Sequence, residues 1–391
     1  MTPAARTEAA IELLDGIISS AREGGAAADT LIARYFAQRR YAGSKDRRAV
    51  RELVYAAIRR AGEVPVTGRA ALLALAREDA ALADTFDGSH HGPAPIDAAE
   101  PVAPAGVAPA WLTEALTASG LNAEQQAALI ERAPLDVRVN RLRAEPAQIV
   151  AELPDAFPVA GAPDALRLPA GTDVARLAGL VEIQDVGSQI VASVVPASAN
   201  TRVLDLCAGA GGKSLALAAM MANSGHILAT DTDRARLSRL PARAEQAGAT
   251  IIETRLLNPG REAEALGGEA GRIDAVLIDA PCSGTGTWRR NPEARWRLTP
   301  ARLERLVATQ AYLMSLAAPL VRPGGTLTYV TCSLLDAEGT DQVDAFLADH
   351  ADWSVDALDL PLGRARGHGW RLDPASDSTD GFFVARLRAP W

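Results

Sequence analysis

Cysteine, aromatic residues, basic charge and long apolar runs are all scarce in this chain, and most of these scarcities exclude something. Only three cysteines occur in 391 residues, Cys207, Cys282 and Cys332. They are too few and too far apart for the disulfide framework of a small secreted domain, so a reducing, cytoplasmic setting is expected. No stretch supplies the roughly 18 charge-free apolar residues of a membrane span. The N-terminus runs into a polar, charged helix with no apolar signal core, so a soluble protein without a membrane partner is expected. Aromatics make up 4% of the chain, and 40 Lys plus Arg face 48 Asp plus Glu, a formal charge of −8. Without a global positive field, any nucleic-acid partner would have to be met by local patches. No His or further Cys lies at ligand spacing from the cysteines, so no metal site is expected.

What is present is ample apolar residue, 48% of the chain, enough for two or three domains of ordinary size. Residues 5–85 read as helices, because apolar positions recur at spacings of three and four, as in Ile11, Leu14, Ile17 and Ile18, then Leu53, Val54, Ala57 and Ile58. The first 60 residues carry eleven Arg plus Lys against seven Asp plus Glu, concentrated in the run from Arg39 to Arg48. Residues 87–109, rich in Gly, Pro and Ala, read as a long irregular connection. Helical pattern resumes at Trp111 and over Ala123 to Arg132. A short strand at Asp136 to Asn140, a helix after Pro146 and an extended piece near Val181 to Gln184 follow.

After Asn200 the rhythm changes. Thr201–Leu206, Gly225–Thr230, Thr250–Glu253, Ile273–Ile278, Thr326–Thr331 and Phe382–Leu387 are short apolar or β-branched runs, most of them separated by helical stretches. This predicts βαβ units around a largely parallel sheet, whose ligands bind at the carboxyl ends of the strands. The first run ends in Asp205-Leu206-Cys207-Ala208-Gly209-Ala210-Gly211-Gly212-Lys213-Ser214, where closely packed glycines would let backbone N–H groups approach a ligand. A P-loop would need Gly at 207 and a dinucleotide fingerprint Gly at 214, so neither signature is met; a tight turn that merely needs small residues remains the alternative. The second run ends at Asp231, where nucleoside-binding folds place a carboxylate on the ribose hydroxyls, with Asp233 a candidate helix N-cap. The third ends near Asn258, whose amide suits an adenine edge. The fourth and fifth deliver Asp279-Ala280-Pro281-Cys282-Ser283-Gly284-Thr285-Gly286 and Thr331-Cys332-Ser333, so two cysteines are expected on one edge of the sheet. Between Thr287 and Arg305, arginines interleave with Trp288 and Trp296, a pattern suited to phosphates and stacked bases.

These stretches, with Gln184-Asp185-Val186-Gly187-Ser188-Gln189 and Arg322-Pro323-Gly324-Gly325, occur in the order of a known family. The chain resembles the RsmB/Sun (Fmu) type of bacterial RNA cytosine-C5 methyltransferases. The resemblance covers the last 200 or so residues closely. It extends more thinly upstream, where Pro134 to Arg143 is similar to the family's small RNA-recognition domain and the first helices to its NusB-like, antitermination-factor-like module. It implies three parts: an all-helical NusB-like domain at 1–131, a small α+β RNA-recognition domain at 132–183, and at 184–391 an α/β, Rossmann-like class I methyltransferase domain.

By the same resemblance, Cys207, Ala208, Gly209, Ala210, Gly211, Gly212 and Lys213 would line S-adenosylmethionine, Asp231 would hold its ribose, and Asp279 would lie where cofactor and base meet. Asn258 stands where the family usually has Asp beside the adenine, and Ala210 replaces a usual Pro. Cys332 would add to cytosine C6, Asp279 would face N3 and the exocyclic amine, and Cys282 would assist release. DNA cytosine methyltransferases instead use a Pro-Cys unit as the nucleophile, which would exchange the two cysteines. The expected partner is RNA, foremost unassembled 16S rRNA, bound by a monomer with no obligate protein partner. A tRNA substrate, or a non-catalytic RNA-binding role in ribosome assembly, is the alternative.

Overall fold

The computed structural model describes residues 1–391, which form two compact units: Met1–Arg132 with Thr287–Thr299, and Ala133–Gly286 with Pro300–Trp391. No helix is long and apolar enough to cross a membrane.

The first unit is helical, with Pro3–Glu23, Ala28–Gln38, Ser44–Arg60, Gly68–Ala76, Ala80–Ala83, Ala110–Ala118 and Ala123–Ala128. The first helix starts where the Thr2 hydroxyl accepts the Ala5 N–H at 3.1 Å and Pro3 occupies a position that needs no N–H. Its Ile11, Leu14, Ile17 and Ile18 pack in one core with Val50, Val54 and Ile58 of the third helix. Residues 87–109 contain neither helix nor strand.

The segment 287–299 completes this unit by closing helix ends, which leave backbone groups without intrahelical partners. Ala28–Gln38 has no side-chain cap of its own, and Glu293 Oε1 accepts the Ala28 N–H at 3.0 Å. Arg295 donates to the carbonyls of Ile58, Arg59 and Ala61 at 2.6, 3.3 and 2.9 Å, at the end of Ser44–Arg60. Arg297 donates to Gly25 and Ala26 at 2.7 and 2.6 Å, just beyond Pro3–Glu23. Trp288 is fully buried, as is Arg295, and Trp296 donates its indole N–H to Ala61 O at 3.1 Å. This corrects the expectation of a base-stacking, phosphate-binding surface here. The tryptophans are core, and Arg289, Arg295 and Arg297 are occupied with main-chain carbonyls, whose partial negative charge at a helix C-terminus favours a guanidinium. Arg302 and Arg305, beyond the segment, are exposed.

The second unit holds two sheets. The smaller contains β1 (Leu135–Val139), β2 (Phe157–Val159), β3 (Ala162–Leu168) and β4 (Val181–Ile183), in order β2-β3-β1-β4 and antiparallel throughout. Polar residues of β1 and its end are structural. Asp136 is buried under a bidentate pair with Arg167 at 2.7 and 3.0 Å, Arg138 donates to Gln184, and Asn140 donates to Gly179 O and Ala247 O. Of the basic residues in 134–143, Arg141 and Arg143 are the exposed ones.

The larger sheet has nine strands: β5 (Thr201–Asp205), β6 (Gly225–Asp231), β7 (Ile252–Leu256), β8 (Ile273–Asp279), β9 (Val321–Thr331), β10 (Ser354–Val355), β11 (Arg364–Arg366), β12 (Gly369–Leu372) and β13 (Phe382–Arg388). The order is β11-β12-β13-β9-β8-β5-β6-β7, with β10 also pairing with β13. β5 to β9 run parallel, and β13, β12, β11 and β10 add an antiparallel flank. The sheet is therefore parallel only in its first five strands. The third predicted run lies two residues later than its pattern suggested, and β9 begins five residues earlier because Pro323 to Gly325 form an irregularity inside it where the register with β8 shifts. Strands β2, β3 and β10 to β12 were not foreseen; most are too short for an alternating pattern to register.

Candidate active site

The carboxyl ends of β5 to β9 open into one cavity of about 540 Å3. Along the sheet its wall runs from Cys332 after β9, through Asp279 to Cys282 after β8 and Leu206 and Cys207 after β5, to Asp231 to Asp233 after β6 and Leu257 and Pro259 after β7. Helix Pro300–Ala317 contributes Tyr312, Leu313 and Leu316.

The two cysteines come together because β8 and β9 are neighbours, with Asp279 opposite Val330, so their following loops leave the same edge. Cys282 Sγ lies 3.3 Å from Cys332 Sγ. The contact with Cys332 and burial push the Cys282 thiol well above its ordinary range. The loops are locked by a buried polar chain around Glu338, which is completely buried. Its carboxylate accepts the Ser283 N–H at 2.8 Å, the Gln310 amide at 3.0 Å and the Ser283 hydroxyl. With that hydroxyl proton committed, Ser333 donates to Ser283 across 3.1 Å, and Thr285 donates to Ser333 across 3.2 Å. The Leu334 and Leu335 N–H groups feed Thr285 and Ser333. The chain thus ties neighbours of Cys282 to a neighbour of Cys332, and a full set of partners rigidifies such a network. Behind it Gly286 meets Gly381 backbone to backbone; a Cβ on Gly286 would stand 2.1 Å from Gly381 O.

Lys213 does not line the cavity. It is buried and holds Asp279 Oδ2 at 2.6 Å, leaving the other oxygen of Asp279 with no hydrogen bond inside the chain. The glycine loop spends three of its N–H groups within the chain, while those of Ala210, Gly212 and Lys213 take no partner there. The Ala208, Gly209 and Gly211 N–H groups are spent on Thr230 O, Asp231 Oδ2 and Ala208 O at 2.8, 2.7 and 2.8 Å, and the Ala210 carbonyl accepts from Arg243. Gly211 has φ +86° and sits where a Cβ would collide with Leu240 Cδ1. Of the predicted loop residues 207–213, Cys207 alone lines the cavity, and its thiol is pushed well up by burial. Ala208, Gly209, Ala210, Gly211 and Gly212 form the turn that follows it.

Asp231 is buried on the cavity wall, each oxygen taking one backbone N–H, from Gly209 and from Asp233, both at 2.7 Å. Spare lone pairs remain for hydroxyl donors. Asp233 caps helix Arg234–Leu237. Asn258 is exposed and is not part of the wall that its neighbours Leu257 and Pro259 form. Sequence reasoning assigned no role to Asp205, Glu262, Gln310, Tyr312 and Glu338. Asp205, completely buried against the Ser214 hydroxyl at 2.6 Å, has its carboxyl raised to about 7, mainly by burial. Its place as the last residue of β5, directly before the loop, was the one available signal; the others lie on helices or turns without a motif.

Four acids, Asp231, Asp233, Glu262 and Asp279, face this cavity against a single Arg236. That balance suits hydroxyls, amines and cations and disfavours phosphates. Comparison with known proteins agrees. Residues 192–388 match the model of the family described as 16S rRNA methyltransferase RsmB/F. The chain is 36% identical over 300 residues to the "Probable ribosomal RNA small subunit methyltransferase B" of Synechocystis, a match covering 72% of this chain and 66% of that protein. It is 34% identical over 273 residues to ribosomal RNA small subunit methyltransferase B of Shewanella oneidensis, covering 66% of this chain and 60% of the relative. The matches thus span less than two thirds of these relatives. Among solved structures, the fold is shared with PH0851, with a TM-score of 0.78 and 24% identity over 99% of both chains. A family model matching half the chain, on a fold whose first five parallel strands open into this acidic cavity, places the protein in the RsmB/F family of 16S rRNA methyltransferases.

Proposed function

We propose that the chain methylates cytosine C5 in ribosomal RNA, foremost 16S rRNA, with S-adenosylmethionine as methyl donor. The observation that carries this reading is the pair of sulfurs 3.3 Å apart in one cavity with Asp279, a carboxylate held from outside that cavity by Lys213. The donor fits the acidic wall, because it brings a sulfonium, an ammonium and ribose hydroxyls and no phosphate. When bound, it supplies an electrophilic methyl group. Asp231 would hold the ribose.

Cytosine C5 is a weak nucleophile, and addition of a thiolate at C6 raises its electron density. The resemblance to the family assigns that thiolate to Cys332, with the Cys282 thiol, pushed up by the Cys332 contact and burial, beside it. Asp279, oriented by Lys213, meets N3 and the exocyclic amine and supports protonation at N3 as the Cys332 Sγ–C6 bond forms. Once C5 has taken the methyl group that the bound donor would supply, a base removes the C5 proton, the electrons of that C–H bond re-form C5=C6 as the Sγ–C6 bond breaks, N3 gives up its proton and Cys332 leaves as a thiolate; Cys282 assists that release.

The test uses RNA in denaturing electrophoresis. Cys332→Ala is expected to abolish turnover and give no adduct, whereas Cys282→Ala accumulates a protein–RNA adduct that survives denaturation. The reverse pattern would exchange the cysteines, and bisulfite sequencing of rRNA from cells lacking the protein would find no missing mark if rRNA were not the substrate.

A further inference from the structure

With Asn258 outside the cavity, the end of the wall at β7 still carries a carboxylate. Glu262 opens the helix Glu262–Leu266, six residues after β7, and lines the cavity with 7% of its surface exposed. A buried carboxylate is costly unless its oxygens are hydrogen-bonded. One is: Oε2 accepts the Tyr312 hydroxyl at 2.9 Å, and burial together with the charge of Glu262 raises the pKa of Tyr312, keeping it the donor. The other, Oε1, takes no hydrogen bond within the chain and is not sealed off, so it is left open to the cavity. Leu257, Pro259, Leu313 and Leu316 supply apolar wall in the same cavity. In the strand order β7 stands three strands from β8, whose end carries Asp279, with β6 and its Asp231 beside β7.

An apolar slot with one unsatisfied acceptor, beyond the carboxylate proposed for the ribose, matches a flat heterocycle carrying an amine. We propose that Glu262, anchored by Tyr312, accepts the 6-amino group of adenine and so selects the adenosyl form of the cofactor. This rests on the cofactor reading above and adds to it a recognition residue that the family pattern would have put at position 258. Tyr312 is a positioning residue: its hydroxyl fixes which carboxylate oxygen is offered.

Calorimetry on the full chain tests this with two probes, S-adenosylhomocysteine and its analogue with hydrogen in place of the 6-amino group. Loss of a hydrogen bond to a charged group should make the wild type prefer the amino form about 10- to 100-fold. Glu262→Ala should lose affinity for S-adenosylhomocysteine by a similar factor and bind the 6-hydrogen analogue as well as the wild type or better, so the preference vanishes. Tyr312→Phe should narrow the preference without removing it. Equal losses for both probes in Glu262→Ala would show a merely structural role and overturn the proposal, as would a preference that survives the substitution. A wild-type chain that binds neither probe would overturn the cofactor reading and the role of Glu262 with it.

Discussion

Residues 280–286 and 287–299 are consecutive and both are singled out by the sequence, yet they do opposite work. The first stays with the sheet and lines a cavity, its hydroxyls ordered around Glu338. The second belongs to the helical unit, where Glu293, Arg295 and Arg297 satisfy backbone groups at three helix ends. Residue type alone does not separate the two cases. Arginine offers five donors to a phosphate or to a carbonyl equally well, and the acceptors that decide the matter lie more than 200 positions away in sequence.

The comparison is broken most severely at Arg295. It is completely buried, and burial works against its charge, lowering its pKa, so the carbonyl acceptors are what offset that cost. Arg295→Met would keep the aliphatic volume and orphan the carbonyls of Ile58 and Arg59, each at about 1–3 kcal/mol, while Ala61 O keeps the Trp296 indole N–H. A loss of ~3–5 kcal/mol is expected in denaturant unfolding of the helical unit, with affinity for S-adenosylhomocysteine unchanged. A variant as stable as the wild type but weakened in RNA binding would restore the nucleic-acid reading of this segment.

Next in size is Glu338→Gln, which acts on the other side of the comparison. An amide supplies one acceptor where the carboxylate supplied two, so the Ser283 hydroxyl must turn toward Ser333, and the direction of the whole chain to Thr285 reverses. Thr285 already receives the Leu334 N–H, and its own proton is left without the Ser333 acceptor. A stability loss of about 1–3 kcal/mol is expected. The more telling readout is thiol chemistry. Since the negative charge of Glu338 is one of the causes holding the Cys282 thiol up, removing it should lower that pKa, and alkylation of Cys282 should begin at lower pH than in the wild type. An unchanged pH profile would show that the Cys332 contact and burial alone hold the proton.

The chemistry of this protein was legible where a motif sits at the end of a strand, because a parallel sheet sends every such end to one edge. Asp231, Asp279, Cys282 and Cys332 reach the cavity for that reason alone. The glycine loop was legible as a turn, but not in its contacts, since whether an N–H faces a ligand or Asp231 depends on the packing of Leu240 and Arg243 against it. Glu262 and Glu338 were illegible: a buried acid is written in sequence like a solvated one, and their partners Tyr312 and Ser283 lie 50 and 55 positions away. Of the antiparallel flank β13 was legible as Phe382–Leu387, while β10, β11 and β12, of two to four residues, are too short for a pattern.

The smallest expected effect on stability sharpens the contrast between the buried arginines and those that remain exposed. Arg47 and Arg48 lie on the surface of helix Ser44–Arg60, beside a groove that also carries Ile32, Phe36 and Arg51. No helix end depends on their side chains, although the Arg47 guanidinium does reach the Ala42 carbonyl at 2.9 Å. Replacing both with Ala should therefore change unfolding by no more than about 0.5 kcal/mol. If these are the local basic patch through which an acidic protein meets RNA, affinity should fall and the salt dependence should become shallower. Two lost phosphate contacts remove about 1.4–1.8 from the slope of log affinity against log salt. Binding of S-adenosylhomocysteine should stay within twofold, because the residues that form its cavity all belong to the other unit. A double variant with an unaltered salt slope would move the RNA surface elsewhere, and Arg141, Arg143, Arg302 and Arg305, the exposed basic residues of the second unit's sequence-marked stretches, would be the next to replace.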